Sequence, residues 1–190
     1  MKTLAIIVCA AALVACGKEP APSAGTTTSS GAAAAGTPIA VVNGDFEQSA
    51  ADGSIPGWMT LQHNGVLAYE MKIEPDAAYH GHGGFRMTRT REQVYGTLAQ
   101  NVDLPQPSSG EIELSAMLKS RDTGAKGWAL MLIVGEDVAY SPPLTGTQDW
   151  QRLSVRAKLK PDTRSVRIGV TLIGAGTGWA DDIQLRAIAP

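Results

Sequence analysis

The chain has 190 residues, of which 44% are hydrophobic and 18% charged, with a formal net charge of -2 at pH 7. That balance is ordinary for a globular protein and provides no basic surface of the kind that binds nucleic acid. Its two cysteines, Cys9 and Cys16, are too few and too close to the start for a disulfide framework, and aromatic residues make up only 5%.

Residues 1–15 read as a signal peptide: Lys2 supplies the positive start and Leu4 to Ala12 a short apolar run. Lys18, Glu19 and Pro20 follow at once, so the run is too short to span a bilayer. Leu13-Val14-Ala15-Cys16 resembles the lipobox of bacterial lipoproteins. The resemblance implies cleavage before Cys16 and acylation of that residue, palmitate included. More than one chain gives stable membrane attachment, at ~0.8 kcal/mol per buried CH₂. Gly17, in place of an aspartate, points to the outer rather than the inner membrane of the cell envelope. Once Cys9 leaves with the leader, residues 38–190 hold no thiol, which excludes a Cys nucleophile and a Cys zinc site. Residues 16–37 are small and polar with two prolines, and read as a flexible tether with a root-mean-square span of about 25 Å.

From Pro38 onward the pattern has period two. Ile39 to Val42 opens as a strand, and Leu67, Tyr69, Met71 and Ile73 alternate with polar residues. Phe85 and Met87, then Leu98 and Val102, then Ile112 to Leu118 continue the alternation. Trp128 to Val134 is apolar on both faces, as a central strand is. Leu153 to Leu159 and Val166 to Leu172 alternate again, before a last strand over 176–185. About nine strands separated by Pro, Gly and Asp turns, with no helical stripe, predict an all-β antiparallel two-sheet sandwich of jelly-roll type over 38–190.

The last strand carries a puzzle. Strict alternation puts Trp179, Asp181, Ile183 and Leu185 on one inward face. A carboxylate pointing inward needs donors or a metal, and a partner for Asp181 is expected near Asn43-Gly44-Asp45-Phe46-Glu47. Trp128, on a strand apolar on both faces, is expected in the core.

The opening "NGDFE…GW" and the closing "W-x-DD-I-x-L" resemble carbohydrate-binding modules of the family 4/9 type, within the galactose-binding-like β-sandwich class. Leu98-Ala99-Gln100-Asn101-Val102, Leu114-Ser115-Ala116 and Thr147-Gln148-Asp149-Trp150 are similar to interior motifs of those modules. Gly127-Trp128, Gly146 to Trp150 and Gly174 to Asp182 also resemble sandwich domains found ahead of some bacterial esterases and peptidases. The resemblance implies core positions for Trp58, Trp150 and Trp179 as well. It also implies a structural Ca²⁺ held by Glu47 and Asp181 with backbone carbonyls, chemistry that hard oxygen donors suit. The residues alone leave open that backbone N–H groups or an arginine satisfy both carboxylates. His80-Gly81-His82 reads as a turn rather than a zinc site, because only His63 remains to complete a ligand set.

Sugar binding needs flat aromatic platforms beside polar side chains. The candidates are Tyr69, Tyr95 and Tyr140, with Arg86 and Gln100 as polar partners; Arg86, Arg89 and Arg91 otherwise read as a solvated edge. No Gly-x-Ser-x-Gly or His-Glu-x-x-His motif is present, so no catalytic role is expected. The expectation is a membrane-anchored binding module for carbohydrate. The alternative is a lipoprotein that holds a protein partner in the envelope. A shallow sheet face with two exposed aromatics would favour the first, a convex apolar patch the second.

Overall fold

The computed structural model describes residues 36–75 and 78–188, with backbone only at 106–108. The expected signal peptide, Cys16 and nearly all of the tether lie outside the described residues. Eight stretches of extended backbone follow: β1 Thr37–Ile39, β2 Met59–Gln62, β3 Tyr69–Glu74, β4 Gly84–Arg89, β5 Tyr95–Val134, β6 Asp137–Tyr140, β7 Leu144–Ile173 and β8 Thr177–Ile188. Among the described residues, a single 3₁₀ turn at His63–Gly65 is the only helical backbone.

β5 and β7 are too long to be straight strands, and their pairing shows why. Residues 95–103 pair with 165–173, and 110–118 pair with 151–159, so both segments bend together from one layer into the other. The register slips at the bend between Asp103 and Ser108, and Gly110 has φ of 105. β5 then turns again, so that 128–133 flanks 167–172 from the other side. One layer therefore runs β2, β5 (95–103), β7 (165–173), β5 (128–134), β6. The other runs β3, β4, β8, β5 (110–121), β7 (151–159), with β1 alongside the end of β8. All pairs are antiparallel. This is the expected two-layer jelly-roll sandwich.

The inward residues of both layers form one apolar core that includes Phe85, Leu98, Leu114, Trp128, Leu130 and Ile168, all fully buried. Trp128 lies at its centre, 6.3 Å from Phe85 between ring centroids, and its Nε1 donates to the Trp179 carbonyl at 2.9 Å. The opening motif contributes through its backbone. Asn43 and Phe46 take left-handed φ of 48 and 51, which swings Phe46 into the core against Trp58 and Phe85, both at 5.5 Å. Asn43 closes the turn by exchanging hydrogen bonds with Gln48, and Trp58 Nε1 donates to the Asn43 carbonyl.

β8 corrects the alternation argument. Ser115 pairs with Gln184 and Met117 with Asp181, two steps on β5 against three on β8, and Asp182 sits at φ of 50. This bulge inserts one residue and reverses which parity faces inward. Gly178 and Ala180 face the core before it, Ile183 and Leu185 after it. Trp179 is consequently on the outer face, beside Lys119 and Arg121 at 5.9 and 5.3 Å from its ring. Trp150 is also half-buried and outward, 5.8 Å from Tyr79. Of the four tryptophans, Trp128 is in the core, Trp58 packs at its margin, and Trp150 and Trp179 are not core residues.

Candidate functional site

Two places gather functional side chains, and they belong to different layers. The first is the loop 78–83 between β3 and β4. Asp181, fully buried at the bulge, accepts backbone N–H groups from Tyr79 and His80 on Oδ2 at 2.8 and 2.9 Å, and from Asp182 on Oδ1 at 2.7 Å. Burial pushes its carboxyl above the ordinary value, outweighing the three N–H groups that pull it down. Glu47 Oε1 accepts from His82 and Gly83 at 2.8 and 3.0 Å, and those bonds hold its pKa below the ordinary value. Gly81 has to be glycine: its φ is +71, and a Cβ there would meet Glu47 Oε1 at 2.1 Å. The His80-Gly81-His82 segment is thus a turn, as read, with His80 Nδ1 2.8 Å from Asp182 Oδ2.

The expected partner of Asp181 was wrong in place. Residues 43–47 give its carboxylate no hydrogen bond; Ile183 N–H donates to the Gly44 carbonyl at 2.9 Å, and Glu47 holds the same loop from the other end. Among the described residues, no group of three or more His, Cys, Asp or Glu is placed to hold a metal. The two carboxylates expected to bind Ca²⁺ both grip one loop through backbone hydrogen bonds, and Glu47 accepts both of its bonds on Oε1.

The second place is the outer face of the layer containing β2 and β6. A cleft of about 290 Å³ opens there, lined by Leu61, Tyr95, Thr97, Met131, Ile133, Tyr140, Arg167, Thr171 and Ile173. Strand alternation explains the set: odd positions of 95–103, 129–133 and 167–173 point outward while even positions fill the core. In the same layer Ala99 and Gly169 lie opposite each other, and a Cβ on Gly169 would strike the Leu98 carbonyl oxygen. Tyr95 rises at one end, 38% exposed, with the His63 ring 5.4 Å away edge-on. Tyr140 rises on the β6 edge, 52% exposed. Between them Thr97 and Thr171 share a hydrogen bond at 2.9 Å, and Thr171 also donates to the Gly96 carbonyl. Arg167 Nε donates to Asn101 Oδ1 at 2.8 Å, so its two terminal nitrogens are not used in that bond.

The four ligand residues expected from sequence do not share a surface. Tyr95 is in the cleft. Tyr69 is buried, its hydroxyl donating toward the Gln93 and Gly174 carbonyls, and burial raises its pKa. Gln100 is buried and clamps Val42 through both N–H and carbonyl. Arg86 lies on the other layer, between Glu70 and Glu74, and β4 is an interior strand rather than a solvated edge. Its hydrogen bond holds the Glu70 carboxyl below the ordinary range. Tyr140 was named in sequence as an aromatic candidate. Leu61, Thr97, Thr171 and Arg167 were missed; the outward parity was legible for the strands of Thr97, Thr171 and Arg167, whereas the strand of Leu61 was not recognised.

No protein-family model matches the chain. It is 22% identical over 152 residues to an uncharacterized HTH-type transcriptional regulator, YbfP, of Bacillus subtilis, and spans about half the length of that relative (51%, against 75% of this chain). Among solved structures it is similar to the module TmCBM61 in complex with beta-1,4-galactotriose, with a TM-score of 0.56 and 20% identity, covering 78% of this chain and 97% of that one. It is also similar to the CBM22-1 xylan-binding domain from Paenibacillus barcinonensis Xyn10C, with a TM-score of 0.54, 14% identity, and coverage of 84% and 99%. The enzymatically active domain of bacteriophage CBA120 tailspike protein 4 shares the fold over 78% of this chain and 21% of its own, at a TM-score of 0.60 and 12% identity. At these identities the likeness is one of fold.

Proposed function

We propose that the domain is a non-catalytic glycan-binding module, held at the cell envelope by lipid on Cys16, and that the cleft between Tyr95 and Tyr140 is its binding surface. One observation carries the reading: two exposed tyrosines stand on one sheet face with the Thr97 and Thr171 hydroxyls, the Arg167 guanidinium and apolar side chains lining the cleft with them. Aromatic faces meet the apolar faces of sugar rings, and Thr and Arg groups meet hydroxyls. The similar modules bind galactotriose and xylan by the wording of their names, and the shared fold supports the same class of ligand here. The test is a glycan array probed with the full chain and with Tyr95→Ala/Tyr140→Ala. A signal confined to wild type supports the reading, and identical patterns for both proteins reject it.

Calcium belongs to the same proposal. Asp181 and Glu47 are the residues that would hold it: burial of the Asp181 carboxylate outweighs its three N–H bonds, and a cation would compensate that charge. Such an ion would brace the 78–83 loop and take no part in chemistry. The second reading, a protein-docking lipoprotein, draws on the exposed Val66, Leu67 and Val94, with Leu67 at 77% exposure. Leu67→Ser should then abolish capture of an envelope protein while leaving glycan binding unaltered.

A further inference from the structure

The cleft contains a single charged group, and its surroundings are arranged to leave that charge available. Of the cleft-lining residues only Arg167 is ionised. Arg86, half-buried, and Arg156, exposed, are both paired with glutamates on sheet faces; Arg167 has no carboxylate within ion-pair distance among the described residues. Its one hydrogen bond, from Nε to Asn101 Oδ1, is to a neutral amide, which fixes the plane of the guanidinium without neutralising it. Register places Arg167 opposite Asn101 on one side and Ile133 on the other, with Val138 beyond. The Tyr140 ring stands two strands away and one inward-outward repeat along, about 10 Å across and about 7 Å along the sheet. A second cavity, about 250 Å³, adjoins the cleft and is lined by Asn101, Ile133, Gly135, Ser165, Val166 and Arg167. Arg167 therefore stands where two cavities meet.

We propose that Arg167 forms an anion subsite within the cleft, and that the glycan bound there carries a carboxylate, as a chain containing hexuronate units does. The inference rests on the glycan reading of the cleft and deepens it. A planar fork with its Nε already occupied presents two parallel N–H donors, the geometry that a planar carboxylate accepts in pairs. A sugar ring stacked on Tyr140 puts a unit further along the chain within reach of that fork. A neutral chain offers the fork only single hydroxyl acceptors, so the carboxylate gains more from Arg167 than a hydroxyl does.

The experiment is calorimetric titration of the full chain in detergent with three oligosaccharides: a hexuronate oligomer, the same oligomer after its carboxyls are reduced to alcohols, and a sulfated neutral oligomer. Wild type should bind the hexuronate oligomer about tenfold to a hundredfold tighter than the reduced one, the range of a charge-assisted hydrogen-bonded pair. Arg167→Gln should erase that preference, bringing affinity for the hexuronate oligomer down to that for the reduced one, while the melting curve stays unchanged. Asn101→Ala, which retains the charge but frees the fork, should erase part of it, and Arg167→Lys should restore only part. Equal binding of hexuronate and reduced oligomers overturns the subsite while leaving the glycan reading intact. Preference for the sulfated oligomer overturns the carboxylate assignment. Failure to bind any of the three, with an empty glycan array, removes the cleft reading and this inference with it.

Discussion

Gly178→Ala is the substitution that most directly tests how the sandwich is packed. Gly178 lies on β8 just before the bulge and has no left-handed φ, so alanine suits its backbone. The obstacle is steric: the new Cβ would sit 2.3 Å from Trp128 Cδ2, 2.6 Å from Cε2 and 2.7 Å from Cγ. Carbon atoms prefer about 3.5–4.0 Å, so the indole must retreat by more than about 1 Å. It has nowhere to go, being fully buried and packed on Phe85, with its N–H bonded to the carbonyl of Trp179. Overpacking costs about 1–3 kcal/mol, and losing that hydrogen bond adds about 0.5–1.5 kcal/mol net. At about 2–4 °C per kcal/mol for a domain of this size, the melting temperature should fall by roughly 5–15 °C. Near-ultraviolet circular dichroism during heating follows the Trp128 environment directly. Gly124→Ala, with nothing within 4 Å of the new methyl, is the control and should stay within about 0.5 kcal/mol of wild type. A Gly178→Ala variant melting within 2 °C of wild type, on the order of the smallest shift a 1 kcal/mol change gives, would refute the packing argument.

Four further outcomes follow from the same geometry. Trp128→Ala should cost about 3–5 kcal/mol in urea unfolding, whereas Trp179→Ala, outward and beside two cations, should cost about 1 kcal/mol or less. Glu47 is held below its unfolded value near 4.5, so its contribution is present above that pH and is lost as pH falls through the lowered folded value. Glu47→Gln should flatten that acid limb in a melting-temperature series, and an unchanged limb would reject the role. Ca²⁺ should raise and chelator lower the melting temperature, with Asp181→Asn blunting the difference; identical melting in both would leave the carboxylates as backbone acceptors alone. Cys16→Ser should abolish palmitate labelling, and labelling that persists would exclude that residue as the anchor.

Fold class was legible because the period-two pattern reports directly which side chains a pleated sheet buries. Phe85, Leu98, Ile112, Leu114, Val170 and Leu172, all named from alternation, are core residues. What alternation cannot register is an inserted residue. The bulge at Asp182 depends on one left-handed residue in an acidic pair, and it reversed the faces of Trp179 and Ala180 together. The short edge strands β2 and β6 were passed over for a related reason: four residues carry too little pattern to stand out. Site residues were harder still. Tyr69 and Gln100 are polar enough to resemble ligand contacts, yet each spends its polar atoms on backbone groups, satisfying loops that would otherwise be left unpaired. Arg167 was not singled out in the sequence; it became a site residue only when pairing placed it beside Asn101 on the outward face, with no carboxylate within ion-pair distance among the described residues.

The packed core separates the two candidate sites. Asp181 and Glu47 act on the loop between β3 and β4, in the layer that contains β8, while Tyr95, Tyr140 and Arg167 project from the far face of the other layer. The fully packed core lies between them, with Phe85 and Trp128 from opposite layers in contact. A change at the carboxylates should therefore reach the cleft only through global stability, because the close-packed layer between them offers no second arrangement that both sites could bias. Glycan affinity measured well below the melting temperature should be the same in Glu47→Gln as in wild type, even where melting temperatures differ. Affinity that falls in step with loosening of the 78–83 loop would mean that the two layers do not act as independent surfaces. The cleft would then have to be understood as part of one mobile unit with the carboxylate-bound turn.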